Sequence, residues 1–418
     1  MTLVEIMITM IVSSIIAAST FMFFAGQQRI YETQTKLLNI QQNIWAAMEV
    51  LTRYTRAAGG GMFECVRPAN YANGLGGRSQ NQFPSPGPLT LSLAAAPAAG
   101  VRTYNSTTGD QQWIPPLWIV DNSTVDTDIL QNTDVLTVAF GTQTSGTDTD
   151  VTLGLAFGSS APATPITLSL ATGSNMFRAG EFVLLLTSKA FAYGFEPNND
   201  RGCSMFQITN YAADTSTLQH QSTAVSEGMV WNPPGDLAGM LVAGGYAPGD
   251  GVRNFGSLFW VRFYIQQDAT TGIPNLMMRQ LHRGGAAAQP QVLAEGIEDL
   301  QVSFACDTGN LAGVNLAQAN GQLDEGTDPS SDMLTDEWWN NVPNDHLPNF
   351  GDPGYCNLPT AIRLTLVART LTPDDLIDPI SKNGPMDVEN HVYSTRPVDR
   401  YRRRVLSTTV FPRNNKPL

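Results

Sequence analysis

The chain has 418 residues, 42% of them apolar and 15% charged, enough apolar material for one or two folded units and too much for a disordered, collagen-like or coiled-coil polymer. With 24 Lys and Arg against 37 Asp and Glu, the formal charge of −13 opposes capture of nucleic acid or of anionic membrane surfaces, and no nucleic-acid partner is expected. The imbalance is local: Gly284 to Ile362 holds twelve acids and no Lys or Arg, while Arg396, Arg400, Arg402, Arg403, Arg404 and Arg413 gather near the C-terminus.

Met1 to Ala25 contain one ionisable side chain, Glu5, and neither Gly nor Pro. At about 1.5 Å per residue, a helix over this run is long enough to cross a bilayer. It begins directly with apolar residues, without the basic stretch and small-residue cleavage site of a removed secretory signal, and reads as a retained anchor. Past Arg29 the pattern changes without a breaker. Leu37, Ile40, Ile44, Met48 and Leu51 recur at spacings of three or four, with Gln41, Gln42, Asn43, Glu49 and Arg53 between them, the pattern of an amphipathic helix. Together the two parts predict one helix over 1–58, with its transmembrane portion in 1–25, stopping at Gly59-Gly60-Gly61. Ser13, Ser14, Ala17, Ala18 and Ser19 are small enough to let a second helix approach closely.

Residues 59–115 read as an irregular connecting region and 116–418 as a β-rich head with an acidic loop over 307–353. Strands are predicted for the apolar runs that start at Leu117, Asp134, Glu181, Ser257, Asp299, Ala361 and Arg404. In the run from Ala361, Ile362, Leu364 and Leu366 alternate with Arg363, Thr365 and Val367, which predicts an antiparallel strand with one buried face. The expected class is α+β, a long N-terminal helix packed on an antiparallel sheet domain.

The chemistry-bearing side chains are sparse. Cys65, Cys203, Cys306 and Cys356 are far apart and form no CxxC, so metal-ribbon and redox-motif readings fail and structural disulfides remain. Cys306 with Cys356, at the base of the acidic loop, and Cys65 with Cys203 is the preferred connectivity; four buried thiols is the alternative. His220, His282, His346 and His391 stand alone, without HExxH, a nucleophile elbow or a phosphate loop, so no catalytic residue is expected and no enzyme is assigned. Asp324, Glu325, Asp328 and Asp332 cluster oxygen ligands of the kind calcium takes, though not at EF-hand spacing; a solvated acidic face is the alternative, and no other cofactor is expected. Trp338 and Trp339 read either as a partner-binding hot spot or as residues buried against the sheet. Arg402 and Arg404 fall on one face of the last strand and Arg403 on the other, so Arg402 and Arg404 could meet an acidic loop of a neighbour.

The Thr2-Leu3-Val4-Glu5 start of an uncharged run, leading into an amphipathic helix and a β-rich domain, resembles type IV pilin-like proteins. Three further stretches, Arg56 to Cys65, Leu293 to Asp307 and Tyr401 to Asn414, resemble the PilW type of minor pilin. The resemblance implies a short basic leader cut immediately before Met1, methylation of the new amino group, and a Glu5 that meets the charged N-terminus of a neighbouring subunit. It also implies a minor pilin that helps prime pilus assembly and ends at the pilus tip, with roles in adhesion and twitching motility through its partners. Those partners would be other minor pilins, the major pilin and a PilY-type tip adhesin. The protein would sit in the bacterial inner membrane with a periplasmic head before assembly and at the extracellular tip afterwards. Two alternatives share part of the evidence: a type II secretion pseudopilin, and a membrane-tethered periplasmic binding protein or hydrolase.

Overall fold

The computed structural model describes residues 2–59, 81–82, 117–120, 129–142, 151–158, 164–171, 173–174, 176–186, 203–220, 245–280, 289–305, 338–339, 361–374, 388, 391 and 399–412. One helix, α1, runs unbroken from Leu3 to Ala57. The strands that follow are β1 (Asn81–Gln82), β2 (Leu117–Val120), β3 (Val135–Thr142), β4 (Val151–Thr152), β5 (Ile166–Thr167), β6 (Phe182–Leu186), β7 (Cys203–Gln207) and β8 (Asn210–Ala212). After them come β9 (Thr217–Gln219), β10 (Gly251–Gln267), β11 (Pro274–Gln280), β12 (Gln291–Glu295), β13 (Ile297–Ala305), β14 (Trp338–Trp339), β15 (Ala361–Arg369) and β16 (Arg403–Val410). Every apolar run expected to be a strand is one, and the class is α+β.

Among the described residues the strands form three sheets. The largest follows β1-β7-β6-β10-β11-β12, with β3 and β4 also on β10 and β2 on β3; the second is β14-β13-β15-β16; the third is β5-β9-β8. Pairing is antiparallel except for the short β1–β7 contact. β10 serves two neighbourhoods because its register breaks between Asn254 and Gly256. Gly256 adopts φ +74°, a conformation costly for a side chain with a Cβ, and the Asn254 Oδ1 accepts its N–H at 2.7 Å. Before the bend β10 pairs with β4 and β6; after it, with β3 and β11.

A second glycine joins the two main sheets. Gly296, at φ +75°, lies between β12 and β13; its N–H donates to the Pro274 carbonyl at 2.8 Å and its carbonyl accepts the Arg369 N–H at 2.7 Å. A Cβ there would stand 2.7 Å from the Arg369 carbonyl oxygen, so glycine is required both by backbone conformation and by space.

The main core lies where α1 meets both sheets. Ile40, Ile44, Ala47, Met48 and Leu51 pack with Leu136, Val138, Val261, Phe263, Ile265 and Leu276 of the first sheet and with Leu300, Val302, Ile362, Leu364, Leu366 and Val410 of the second. Tyr54 closes this core against Phe140 and Phe263, its ring edge-on to both at 5.8 and 5.4 Å. A separate core, including Val151, Phe157, Ile166, Val183, Leu185, Phe206, Leu218 and Val252, holds the third sheet to β6 and the start of β10.

One expectation needs correction. β15 is buried on both faces, with Thr365 and Val367 as inaccessible as the Leu364 and Leu366 that face the helix. It is the inner strand between β13 and β16, and the face away from α1 is covered by polar packing that hydrophobic alternation alone does not reveal.

Candidate assembly surface

The two halves of α1 meet different surroundings. From Leu3 to Phe24 the large apolar side chains are exposed, and this part of the helix is long and apolar enough to cross a membrane. Four of its hydroxyls are satisfied by the helix itself. Thr9, Ser14, Ser19 and Thr20 donate to the carbonyls of Glu5, Met10, Ile15 and Ile16 at 2.7 to 3.0 Å.

The helix starts with a reciprocal cap. The Thr2 N–H donates to Glu5 Oε2 at 2.8 Å, and the Glu5 N–H donates to Thr2 Oγ1 at 3.4 Å. The Thr-x-x-Glu spacing of a capping box is written in residues 2–5, and attention to the carboxylate's charge alone passes over it. Met1 lies outside the described residues.

The C-terminal half of α1 is fastened to the head by its apolar face and by two polar contacts at its rim. Lys36 Nζ donates to the Pro373 carbonyl and Asn43 Nδ2 to the Glu295 carbonyl, both at 3.1 Å. Beside that seat, Tyr31, Leu38 and Trp45 remain exposed at seven-residue spacing, Trp45 by 63%.

At one end of the β15–β16 ladder lies a largely buried ionic cluster that joins two of the three sequence stretches of the PilW resemblance. Arg403 on β16 donates through Nε to Glu298 on β13, and through Nη1 and Nη2 to the two carboxylate oxygens of Asp399 at 2.7 and 2.5 Å. Arg369 on β15 lies 4.0 Å from Glu298 and stacks over the Tyr401 ring at 4.3 Å. Its Nη2 also donates to the Gly272 carbonyl, which ties in the β10–β11 hairpin. Burial pushes the Glu298 carboxyl above its ordinary 4.5, more than the Arg403 hydrogen bond and the charges of Arg403 and Arg369 pull it down. Asp399 is less buried; desolvation acts on it too, but the Arg403 hydrogen bonds, the Tyr401 N–H and the nearby positive charges hold it below its ordinary 3.8. Arg403 is pushed up and stays charged.

The far face of the second sheet carries a polar layer. His391 Nδ1 contacts Asp299 Oδ2 at 2.6 Å, and Gln301 Nε2 donates to Asp299 Oδ1 at 2.9 Å and to the Asn132 carbonyl at 3.2 Å. Asp134 Oδ2 accepts the Val302 N–H at 2.7 Å. These contacts span more than ninety residues of sequence and hold the segments around 132 and 391 to β13.

Of the residues singled out from sequence, Arg402 is paired inside its own chain, its Nε donating to Asp374 Oδ2 at 2.5 Å, whereas Arg404 is exposed. Arg403, to which the sequence reading gave no role, makes the most contacts of the three. Trp338 and Trp339 form β14, opposite Ala305 and Phe304; their side chains lie outside the described residues. Cys203 begins β7, while Cys65, Cys306 and Cys356 and the acids Asp324, Glu325, Asp328 and Asp332 lie outside the described residues, as do His282 and His346. Among the described residues no group of three or more His, Cys, Asp or Glu is placed to hold a metal ion. His220 and His391 are both buried in polar or aromatic contacts, His220 between the rings of Phe157 and Phe206.

Comparison with known proteins places the C-terminal part of the chain. Residues 262–414 match the family model of type IV pilus-assembly protein W, PilW. The match begins inside β10 and ends just after β16, so it contains the whole second sheet and the Arg403 cluster. No curated protein and no solved structure matches the chain.

Proposed function

We propose that this PilW-type pilus-assembly chain is a minor pilin, a structural subunit with no catalytic role. In this reading it waits in the bacterial inner membrane with its head in the periplasm, helps to prime assembly of a type IV pilus, and ends in a complex at the extracellular tip. The observation that carries the reading is the pairing of an exposed, membrane-length apolar half-helix with a head whose C-terminal part matches the PilW family model. A helix that only anchored an enzyme would have no reason to be continuous, without hinge or linker, with the buried core of the head.

The mechanism follows from the two halves of α1. In lipid, residues 3–25 are solvated by acyl chains; on assembly they exchange lipid for neighbouring helices, and their small side chains permit close approach. The exposed stripe of Tyr31, Leu38 and Trp45 continues that contact above the membrane, since a seven-residue apolar repeat keeps one seam facing a partner helix. Glu5 is the one charge that must make this transfer. Capping engages one of its oxygens, and an ionised carboxylate accepts further hydrogen bonds, so the amino terminus of the adjacent subunit fits beside it. A bulky head suits the tip, where it needs no room in a repeating shaft. Other minor pilins, the major pilin and a PilY-type adhesin are the partners this position implies; adhesion and twitching motility would follow through them.

Glu5→Ala tests the reading. The variant is expected to accumulate in the membrane with a folded head while surface pili, measured in sheared filament fractions, are lost or strongly reduced. Piliation equal to that of the wild type would remove the reading. Mass spectrometry of the N-terminal peptide from sheared filaments should find the wild-type chain at low abundance beside a major pilin, with Met1 methylated.

A further inference from the structure

We propose that the outer edge of β16 is a docking edge, which takes up an extended, acid-bearing segment of another pilus subunit as an added strand. The inference rests on the reading of the chain as a pilus subunit and extends it to a specific surface.

The register fixes which groups are offered. The Thr370 N–H donates to the Arg402 carbonyl at 2.9 Å, and β15 pairs with β16 without a bulge from Arg369↔Arg403 to Ile362↔Val410. In an antiparallel ladder the direction of backbone groups alternates, so Arg404, Leu406, Thr408 and Val410 turn theirs toward β15. Val405, Ser407 and Thr409 turn N–H and C=O outward. β16 ends its sheet, and among the described residues nothing pairs with these outward groups. The strand is also open to solvent there: Ser407 and Thr409 are exposed, Val405 by 37% and the following Phe411 by 59%.

Among the described residues, β1, β12 and β14 end their sheets with shorter or less regular edges than β16. β1 and β14 are two residues long. β12 has a register shift opposite Leu276 and Met277, and its Glu295 carbonyl takes the Asn43 side chain of α1. β16 runs for eight residues without Gly or Pro and is β-branched at Val405, Thr408, Thr409 and Val410. Folded proteins usually blunt so long and regular an edge, because it templates pairing with another chain. An edge of this kind suits strand addition, in which backbone hydrogen bonds supply affinity and alternate side chains supply selectivity.

Charge selects the occupant. Arg402 and Arg403 are paired with Asp374, Glu298 and Asp399, but Arg404 is exposed and makes no ion pair among the described residues. Residues 403–410 contain no Asp or Glu, so symmetric pairing with β16 of a second copy would bring Arg404 no counter-charge. A strand from a different subunit, acidic opposite Arg404 and apolar opposite Val405 and Phe411, satisfies both features.

The test uses the full chain in its own cells. A photoreactive amino acid at position 409 is expected to crosslink to an acid-bearing segment of another pilus subunit, identified by peptide mass spectrometry. Val405→Pro removes only an outward N–H, so it should leave the β15 ladder and the melting temperature near wild type while abolishing the crosslink. Arg404→Glu, at an exposed position, should weaken the crosslink about fivefold, the scale of an exposed ion pair. In the isolated chain in detergent, the amides of Val405, Ser407 and Thr409 should exchange freely while those of Leu406 and Thr408 are protected. Crosslinking to β16 of a second copy, an undiminished crosslink in folded Val405→Pro, or protection of the three outward amides in the isolated chain would each overturn the proposal. If Glu5→Ala abolishes piliation and Val405→Pro changes nothing, only the docking edge fails; if Glu5→Ala has no effect, the subunit reading fails with it.

Discussion

The two halves of α1 are one continuous helix with opposite obligations. Residues 3–24 show their apolar side chains to the outside and contribute nothing to the core, whereas Ile40 to Leu51 are buried and hold two sheets together. The difference teaches that apolar character alone does not say what a helix is for. In the first half it matches the helix to a lipid or protein environment that changes during assembly; in the second it fixes the helix to one head. Stability and assembly should therefore separate along a single element.

The largest expected effect is at the ionic cluster of the head to which the second half is fastened. Arg403→Met leaves Glu298 without its closest counter-charge in a buried site, and unfolding of the detergent-solubilised chain in denaturant should show a loss of about 3–5 kcal/mol. Leu51→Ala, at a fully buried position, should lose about 2–5 kcal/mol, while Ile11→Ala in the exposed half should stay within about 0.5 kcal/mol in the same measurement. Equal losses at 11 and 51 would contradict the division.

The pH dependence sharpens it further. Glu298 binds its proton more tightly in the folded chain than its ordinary 4.5 allows, so stability should fall as pH rises from 4.5 through the raised folded value. Glu298→Gln should flatten that fall. Asp399 behaves oppositely: held below 3.8, its contribution is present above that value and is lost as pH drops through the lower folded value. Asp399→Asn should shrink the acid-side loss, and melting temperatures measured from pH 3 to 7 read both effects. The smallest change is expected at the rim, where Lys36→Ala removes one exposed hydrogen bond to Pro373 and should shift stability by about 0.5 kcal/mol or less.

Much of the fold was legible because its signals are local. The helix, its amphipathic turn after Arg29 and the strands at 117, 134, 181, 257, 299, 361 and 404 each follow from side-chain period within ten to thirty residues. β11 and β12 were not read, because MMRQ and QVLAE carry too weak an alternation to be told from loop. The second buried face of β15 was missed for a different reason: Thr365 lies opposite the buried Gln301, in a polar layer completed by Asn132 and His391 from distant segments. The candidate site was legible at its N-terminal end, where Glu5 stands out as a lone charge. It was not legible among the three arginines, which on paper differ only by position.

The sequence by itself determined that one end of this protein belongs to an apolar environment, that a single helix carries that end into a β-rich head, and that the last strands resemble PilW. Only the tertiary structure decided that Arg403 is the buried link to Glu298 and Asp399, that Arg402 is occupied by Asp374, and that Arg404 stands at the end of an open strand edge. Local pattern depends on neighbours along the chain, which the sequence states directly. Pairing across strands depends on register between segments as much as about seventy residues apart, and one residue of slip would exchange the buried arginine for its neighbour.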